Sequence, residues 1–173
     1  HTCFLRSMLR LTLIMKDNFK GKSPVEKIRE RFDRDVERFS NLETGQTAVM
    51  EAPLMMELIT QAALRSTPVI RRVLDVGCGA GNNTLKLVQS APPFDCDLVD
   101  MSGPMLDRAF ERISRVSTGR VRAIQGDFRS VDLPENAYDI ILAAAVLHHL
   151  RDDRDWEDVF RKIYRLTSPG GSV

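Results

Sequence analysis

The strongest constraint on the fold is an alternation after Pro68, where short apolar runs are separated by stretches with helical periodicity. The apolar runs span residues 73–76, 98–99, 121–124 and 140–145, and the helical stretches lie near residues 83–89, 104–116 and 155–166. This alternation predicts an α/β domain with a doubly wound, mainly parallel sheet and helices on both faces. Ligands of such sheets bind beyond the carboxyl ends of the strands. The motifs at the strand ends are therefore where function is sought first.

The residues before this domain predict a helical extension. Ser23, Pro24 and Glu26 have the pattern of a helix start, in which a capping serine precedes a proline at the first helical position. Apolar residues at helical spacing continue this helix to Phe39, and a second helix is predicted over residues 53–65. We divide the chain into an N-terminal extension at 1–22, expected to be poorly ordered or not native, helices at 23–67 and the α/β domain at 68–173.

Composition narrows the class of partner. The 173 residues carry 25 Lys and Arg against 24 Asp and Glu, a formal net charge of +1, so no global charge favours nucleic acid or an anionic membrane. No apolar run reaches the length of a membrane span. The cysteines, Cys3, Cys78 and Cys96, lack the spacing of a zinc site. They predict reduced thiols, no bound metal and a cytoplasmic location.

A glycine-rich turn, "VLDVGCGAGNN", follows the first apolar run and precedes a helical stretch. Glycines allow the backbone to turn sharply and approach a ligand, and the helix directs its free N–H groups to the same point. A dinucleotide fingerprint would place glycine or alanine at position 82, where this chain has Asn82. Asp75, just before the turn, would repel a pyrophosphate and could hold an ammonium group, directly or through water. The turn therefore favours a ligand with a cationic amino-acid group.

Five ordered segments, "LDVGCGAG", "CDLVDMS", "QGDF", "YDIILAAAVLHHL" and "LTSPGG", resemble the class I S-adenosylmethionine-dependent methyltransferases. The resemblance covers residues 23–173 and implies a Rossmann-like fold with the N-terminal helices as a lid on the substrate side. It implies that Asp100 accepts hydrogen bonds from the ribose hydroxyls and that Asp127 accepts one from the adenine amino group. The implied S-adenosylmethionine-binding residues are Asp75, Gly77, Cys78, Gly79, Gly81, Asp100, Met101, Asp127, Phe128 and Ala143. An aspartate at a strand end can also simply cap the next helix, and this alternative stays open for Asp75, Asp100 and Asp127.

The run "LHHL" is most similar to the quinone and small-molecule methyltransferases of that family. His148 and His149 are the candidate catalytic residues, since either could take a proton from a hydroxyl or amine acceptor. Alternatively the pair only orders the loop, because methyl transfer from a sulfonium often needs little more than alignment. Phe39, Asn41, Gln46 and Met50 are candidate acceptor residues by position alone.

Alternatives to a methyltransferase remain at this point. A protein that binds S-adenosylmethionine without catalysis, an enzyme of a carboxylated cofactor and an NAD(P)-dependent reductase would use similar turns. The sequence stops at "GGSV", where the family's fifth strand would begin. We therefore expect a domain truncated near that strand, with the later strands missing and the fourth strand exposed as an edge that invites self-association.

Overall fold

The computed structural model describes residues 24–40 and 52–173. The predicted extension at 1–22 and the candidate acceptor residues Asn41, Gln46 and Met50 lie outside the described residues. Helices α1 (Val25–Arg34), α2 (Val36–Ser40) and α3 (Ala52–Ser66) precede the sheet. The remaining elements are β1 (Arg72–Val76), α4 (Asn82–Ser90), β2 (Asp95–Asp100), α5 (Gly103–Ser114), β3 (Val121–Gln125), β4 (Tyr138–Leu142), a 3-10 turn (Leu147–His149), α6 (Asp153–Leu166) and β5 (Thr167–Ser172).

The described strands form one parallel sheet in the order β3-β2-β1-β4-β5. From β1 the chain runs outward through β2 and β3 and then returns to β4 on the other side of β1. Such a reversal opens a crevice at the carboxyl ends of the central strands. The predicted parallel α/β fold is confirmed, and the reversal places the crevice beside β1.

The core lies on both faces of the sheet because consecutive strand residues point to opposite sides. Val73 of β1 packs with Leu87 of α4 and Ile113 of α5, whereas the next residue, Leu74, packs with Val159 of α6. Near-continuous apolar strands are typical of parallel sheets covered on both faces.

Side-chain caps fix where the two longer helices of the domain begin. The Ser102 hydroxyl accepts a hydrogen bond from Met105 N at 3.4 Å at the start of α5. The Asp152 carboxylate accepts one from Asp155 N at 2.8 Å at the start of α6. Each cap satisfies a helix N–H that has no partner within the helix.

Two sequence predictions need correction. The first helix is not continuous to Phe39, since it breaks at Asp35, whose N–H donates to Phe32 O at 3.2 Å. The fourth strand is not an edge, because β5 pairs with it through Tyr138 and Thr167. β5 begins at Thr167, before the expected start at "GGSV", so β4 is paired and offers no exposed edge for self-association.

Candidate functional site

A cavity of about 400 Å³ lies at the carboxyl ends of β1, β2 and β3, a size typical of sites for small molecules. Its floor includes Val76 and Val99, the last apolar residues of two central strands. Phe32 of α1 and Phe39 of α2 also line the cavity, so the N-terminal helices form part of its wall.

The glycine turn forms one wall of this cavity, and two of its glycines serve different purposes. A side chain at Gly81 would meet Ile113 Cδ1 at 2.8 Å, so glycine is needed there for α4 to pack on α5. A Cβ at Gly79 would meet nothing within 4 Å. Gly79 therefore leaves its backbone open toward the cavity, and a positive φ of 52° disfavours any larger residue. Gly77 also lines the cavity.

Asp100 ends β2 and lines the cavity together with Met101. Oδ2 accepts a hydrogen bond from Gly79 N at 2.8 Å, and Oδ1 accepts one from Ser102 N at 2.9 Å. An ionised carboxylate has about four acceptor positions, so two remain for a ligand. Burial raises the pKa of Asp100. Hydrogen-bond donors on a bound ligand would stabilise its ionised form.

Asp127 and Phe128 line the cavity just after β3. The Asp127 carboxylate is paired with Arg129, with a shortest distance of 2.5 Å between Nη2 and Oδ2. Burial alone would raise the pKa of Asp127, but the hydrogen bonds from Arg129 outweigh it and lower that pKa. Asp127 is therefore held as a carboxylate in one position.

Asp75 lies behind the glycine turn and is not among the residues that line the cavity. It is buried, and Oδ2 accepts a hydrogen bond from the Thr84 hydroxyl at 2.6 Å. Burial raises its pKa to about 6, and the nearby Asp100 charge adds to this rise. A cationic group bound in front of the turn would favour the ionised form of Asp75.

Comparisons with known proteins identify the family of the chain. The family model described as "Methyltransferase domain" matches residues 73–171, more than half of the chain. This chain belongs to the class I S-adenosylmethionine-dependent methyltransferase family. The cofactor of that family is S-adenosylmethionine.

The matched relatives are similar to this chain over only part of their length. An uncharacterized methyltransferase of Mycobacterium tuberculosis is 32% identical over 101 residues, which cover 58% of this chain and 47% of that protein. A demethylmenaquinone methyltransferase of Thermus thermophilus is 31% identical over 112 residues, which cover 64% and 48%. The chain thus spans about half the length of the curated relatives it matches.

A solved structure shows that the fold is shared. The N-methyltransferase NodS from Bradyrhizobium japonicum, in complex with S-adenosylhomocysteine, has a TM-score of 0.68 and 22% identity. The match covers 83% of this chain and 69% of NodS.

The remaining predicted cofactor residues of the methyltransferase domain differ in position. Cys78 lines the cavity, and burial raises the pKa of its thiol, so it stays protonated within the turn. Ala143 packs against the core instead, whereas Ala144 and Ala145, the next two residues, line the cavity.

His148 and His149 line the cavity on the side where the N-terminal helices approach. Their ring centroids are 3.9 Å apart, and the His149 ring meets the Phe32 ring edge-on at 5.9 Å. The two predicted candidate bases therefore lie in the cavity, with His149 in contact with α1.

Sequence reasoning missed the residues that tie the N-terminal helices to the cofactor turn. Asn82 Nδ2 donates to Phe39 O at 3.1 Å, and Asn82 Oδ1 accepts from Arg112 Nη1 at 2.7 Å. The Ser102 hydroxyl and Asp33 Oδ1 lie 2.5 Å apart. The sequence did carry one signal for these contacts, which is Asn82. The dinucleotide fingerprint has glycine or alanine at this position, and an asparagine side chain can form hydrogen bonds that those residues cannot.

Within residues 24–40 and 52–173, no group of three or more His, Cys, Asp or Glu side chains is placed to hold a metal ion. None of the helices described there is both long enough and apolar enough to cross a membrane.

Proposed function

We propose that this chain binds S-adenosylmethionine and takes part in transferring its methyl group to a small-molecule acceptor. The observation that carries the proposal is the Asp100 carboxylate. It faces the cavity, only backbone N–H groups hold it, and two acceptor positions remain for the two hydroxyls of a ribose.

The other residues fit the remaining parts of the same ligand. The open backbone at Gly79 gives space for the amino-acid portion beside the N-terminus of α4. The Asp127 carboxylate accepts hydrogen bonds from three N–H groups of Arg129, so one acceptor position remains for the adenine amino group. Phe128 N is the adjacent backbone group to face the ring nitrogen. Asp75, behind the turn, acts on the ligand ammonium group through its charge or an intervening water.

The chemistry needs little from the protein beyond alignment. S-adenosylmethionine supplies a methyl group that is already attached to a good leaving group, a sulfonium. The chain holds the acceptor in line with that methyl group, and Phe32 and Phe39 exclude water from the covered side. His148 or His149 removes the acceptor proton where the acceptor is a hydroxyl or an amine.

A small molecule is the acceptor class that the cavity favours. The N-terminal helices close over the crevice and leave a volume of about 400 Å³. The formal net charge of +1 provides no broad electrostatic attraction for nucleic acid. Relatives named for quinone methylation agree with this class without identifying the acceptor.

Calorimetric titration tests the cofactor. We expect micromolar binding of S-adenosylhomocysteine and none of NADH. Binding of NADH with no response to S-adenosylhomocysteine would overturn the proposal in favour of a reductase.

Methyl-labelled cofactor tests the reaction. The full-length protein is incubated with labelled S-adenosylmethionine and a metabolite extract, and the label should appear on a low-mass product. Label on RNA or protein alone would refute the small-molecule class. Cofactor binding without any label would indicate a non-catalytic binding protein or an enzyme of a carboxylated cofactor.

A further inference from the structure

The segment after β3 carries an ion-pair network in which Arg129 and Asp155 have no role in the proposed function. Arg129 lines the cavity and contacts two carboxylates from different parts of the chain. Its Nε lies 3.0 Å from both oxygens of Asp127, and its Nη1 donates to Asp155 Oδ1 at 2.7 Å. One guanidinium thus joins the end of β3 to the first turn of α6.

Asp155 is a fixed anchor for this guanidinium. Its own N–H donates to the helix cap Asp152, and its Oδ2 accepts from Arg151 N at 3.2 Å and Arg151 Nε at 3.3 Å. The position of Asp155 is therefore set by the start of α6 and does not depend on Arg129.

The connection between β3 and β4 contains no helix, so tertiary contacts hold it in place. Lys162 of α6 donates to Arg129 O at 3.4 Å and also to Val131 O. The Lys162 ammonium lies 5.0 Å from the centre of the Phe128 ring. Two charged contacts thus fix the segment that carries Asp127 and Phe128 against one helix.

We propose that Arg129, anchored by Asp155, is a positioning residue that makes the cofactor site selective for adenine over 6-oxopurines such as hypoxanthine. This inference rests on the proposed function. Adenine offers a donor at its 6-amino group and an acceptor at N1, which match a fixed acceptor at Asp127 and a fixed backbone donor at Phe128. Hypoxanthine reverses both, with an acceptor at O6 and a donor at N1. A carboxylate free to move could accept from the hypoxanthine N1–H, so selectivity requires that Asp127 be held still.

The test compares the binding of S-adenosylhomocysteine with that of its 6-oxo analogue, in which hypoxanthine replaces adenine. We expect Arg129→Ala to weaken S-adenosylhomocysteine binding about tenfold. The ratio of the affinities for S-adenosylhomocysteine and for the analogue should fall by a similar factor. Arg129→Lys keeps the charge without the two-pronged contact and should fall between the wild type and Arg129→Ala. Asp155→Asn should narrow the preference in the same direction.

Arg161→Ala is the matched control, because Arg161 pairs with an exposed carboxylate, that of Glu157, on the same helix. It should leave both affinities unchanged. An unchanged preference in folded Arg129→Ala, or tighter binding, would overturn the inference. Should Arg129→Ala not fold, Asp155→Asn decides the question in the same way. A wild-type protein that binds neither ligand would instead overturn the proposed function.

Discussion

Two aspartates of β2 lie three residues apart and are held in opposite ways. Asp97 is 2% exposed and accepts hydrogen bonds from side chains of β1, β3 and β4. The donors are Arg72 Nη2 at 2.7 Å, Arg122 Nε at 2.8 Å and Nη2 at 3.3 Å, and the Tyr138 hydroxyl at 2.6 Å. Asp100 accepts hydrogen bonds from two backbone N–H groups and faces the cavity.

The difference separates a carboxylate that holds the sheet together from one that is available to a ligand. Four side-chain donor groups, two of them on Arg122, occupy the acceptor positions of Asp97, and the two arginines neutralise its charge, which makes its burial tolerable. Backbone donors orient Asp100 and leave part of its capacity unused. We therefore expect replacement of Asp97 to change stability and replacement of Asp100 to change ligand binding.

The largest expected effect is on stability at Asp97. Asp97→Ala would leave two arginines and a buried hydroxyl without their acceptor, at a cost of about 3–5 kcal/mol in the free energy of unfolding. Urea denaturation at neutral pH measures it. The matched control is Asp95→Ala on the same strand, whose pair with Arg120 is exposed and contributes about 1 kcal/mol or less. An equal loss of stability in Asp97→Ala and Asp95→Ala would contradict a stabilising role for the hydrogen bonds to Asp97.

Asp75 is a third case, a buried carboxylate with no cationic partner among the contacts described. Its folded pKa of about 6 lies above the ordinary 3.8, so the folded state binds more protons between these values. Stability should therefore fall as the pH rises from 4 to 7, by on the order of 3 kcal/mol from this group. Asp75→Asn removes that fall. A stability difference between the two proteins that does not change between pH 4 and pH 7 would argue against this pKa.

The effect on ligand binding is expected at Asp100. Asp100→Ala should weaken S-adenosylhomocysteine binding by about 1.5–3 kcal/mol, since a charge-assisted contact to the ribose is lost. Calorimetry measures the affinity, and thermal unfolding of the free protein should change far less than in Asp97→Ala. A variant that binds as tightly as the wild type would remove Asp100 from the site.

The smallest change in stability is expected at Tyr138, whose hydroxyl donates to Asp97. Tyr138→Phe deletes one of the four donor groups and keeps the packing of a fully buried ring, so it should lower the free energy of unfolding by about 1–1.5 kcal/mol. Ligand affinity should stay at the wild-type value. A loss as large as that of Asp97→Ala would mean that the hydroxyl, and not the arginines, stabilises the carboxylate.

The sheet and its functional edge could be predicted from the sequence because their signals are local. Each apolar run marks a strand, and the acidic residues and glycines that follow the runs mark the strand ends. The Asp97 network has no such signal, since Arg72, Arg122 and Tyr138 lie at least 25 positions from Asp97 and meet it only through the register of four strands.

Other features escaped prediction for related reasons. The apolar spacing of Phe32, Val36 and Phe39 continues across Asp35, so periodicity gives no sign that the helix breaks there. The segment "TSPGGS" contains proline and two glycines, residues that disfavour strands, and only pairing with β4 makes it one. The contact between Arg129 and Asp155 could not be predicted from the sequence, because the two residues are 26 positions apart and only the fold brings them together.

A crystal structure of the chain with S-adenosylhomocysteine tests the central claim most directly. The account predicts both ribose hydroxyls about 2.5–3.0 Å from the Asp100 carboxylate, with Gly79 N and Ser102 N still donating to it. The adenine should lie against Asp127 and Phe128. A ligand bound with its ribose away from Asp100 would contradict the claim that this aspartate, and not Asp97, is the one left available to a ligand.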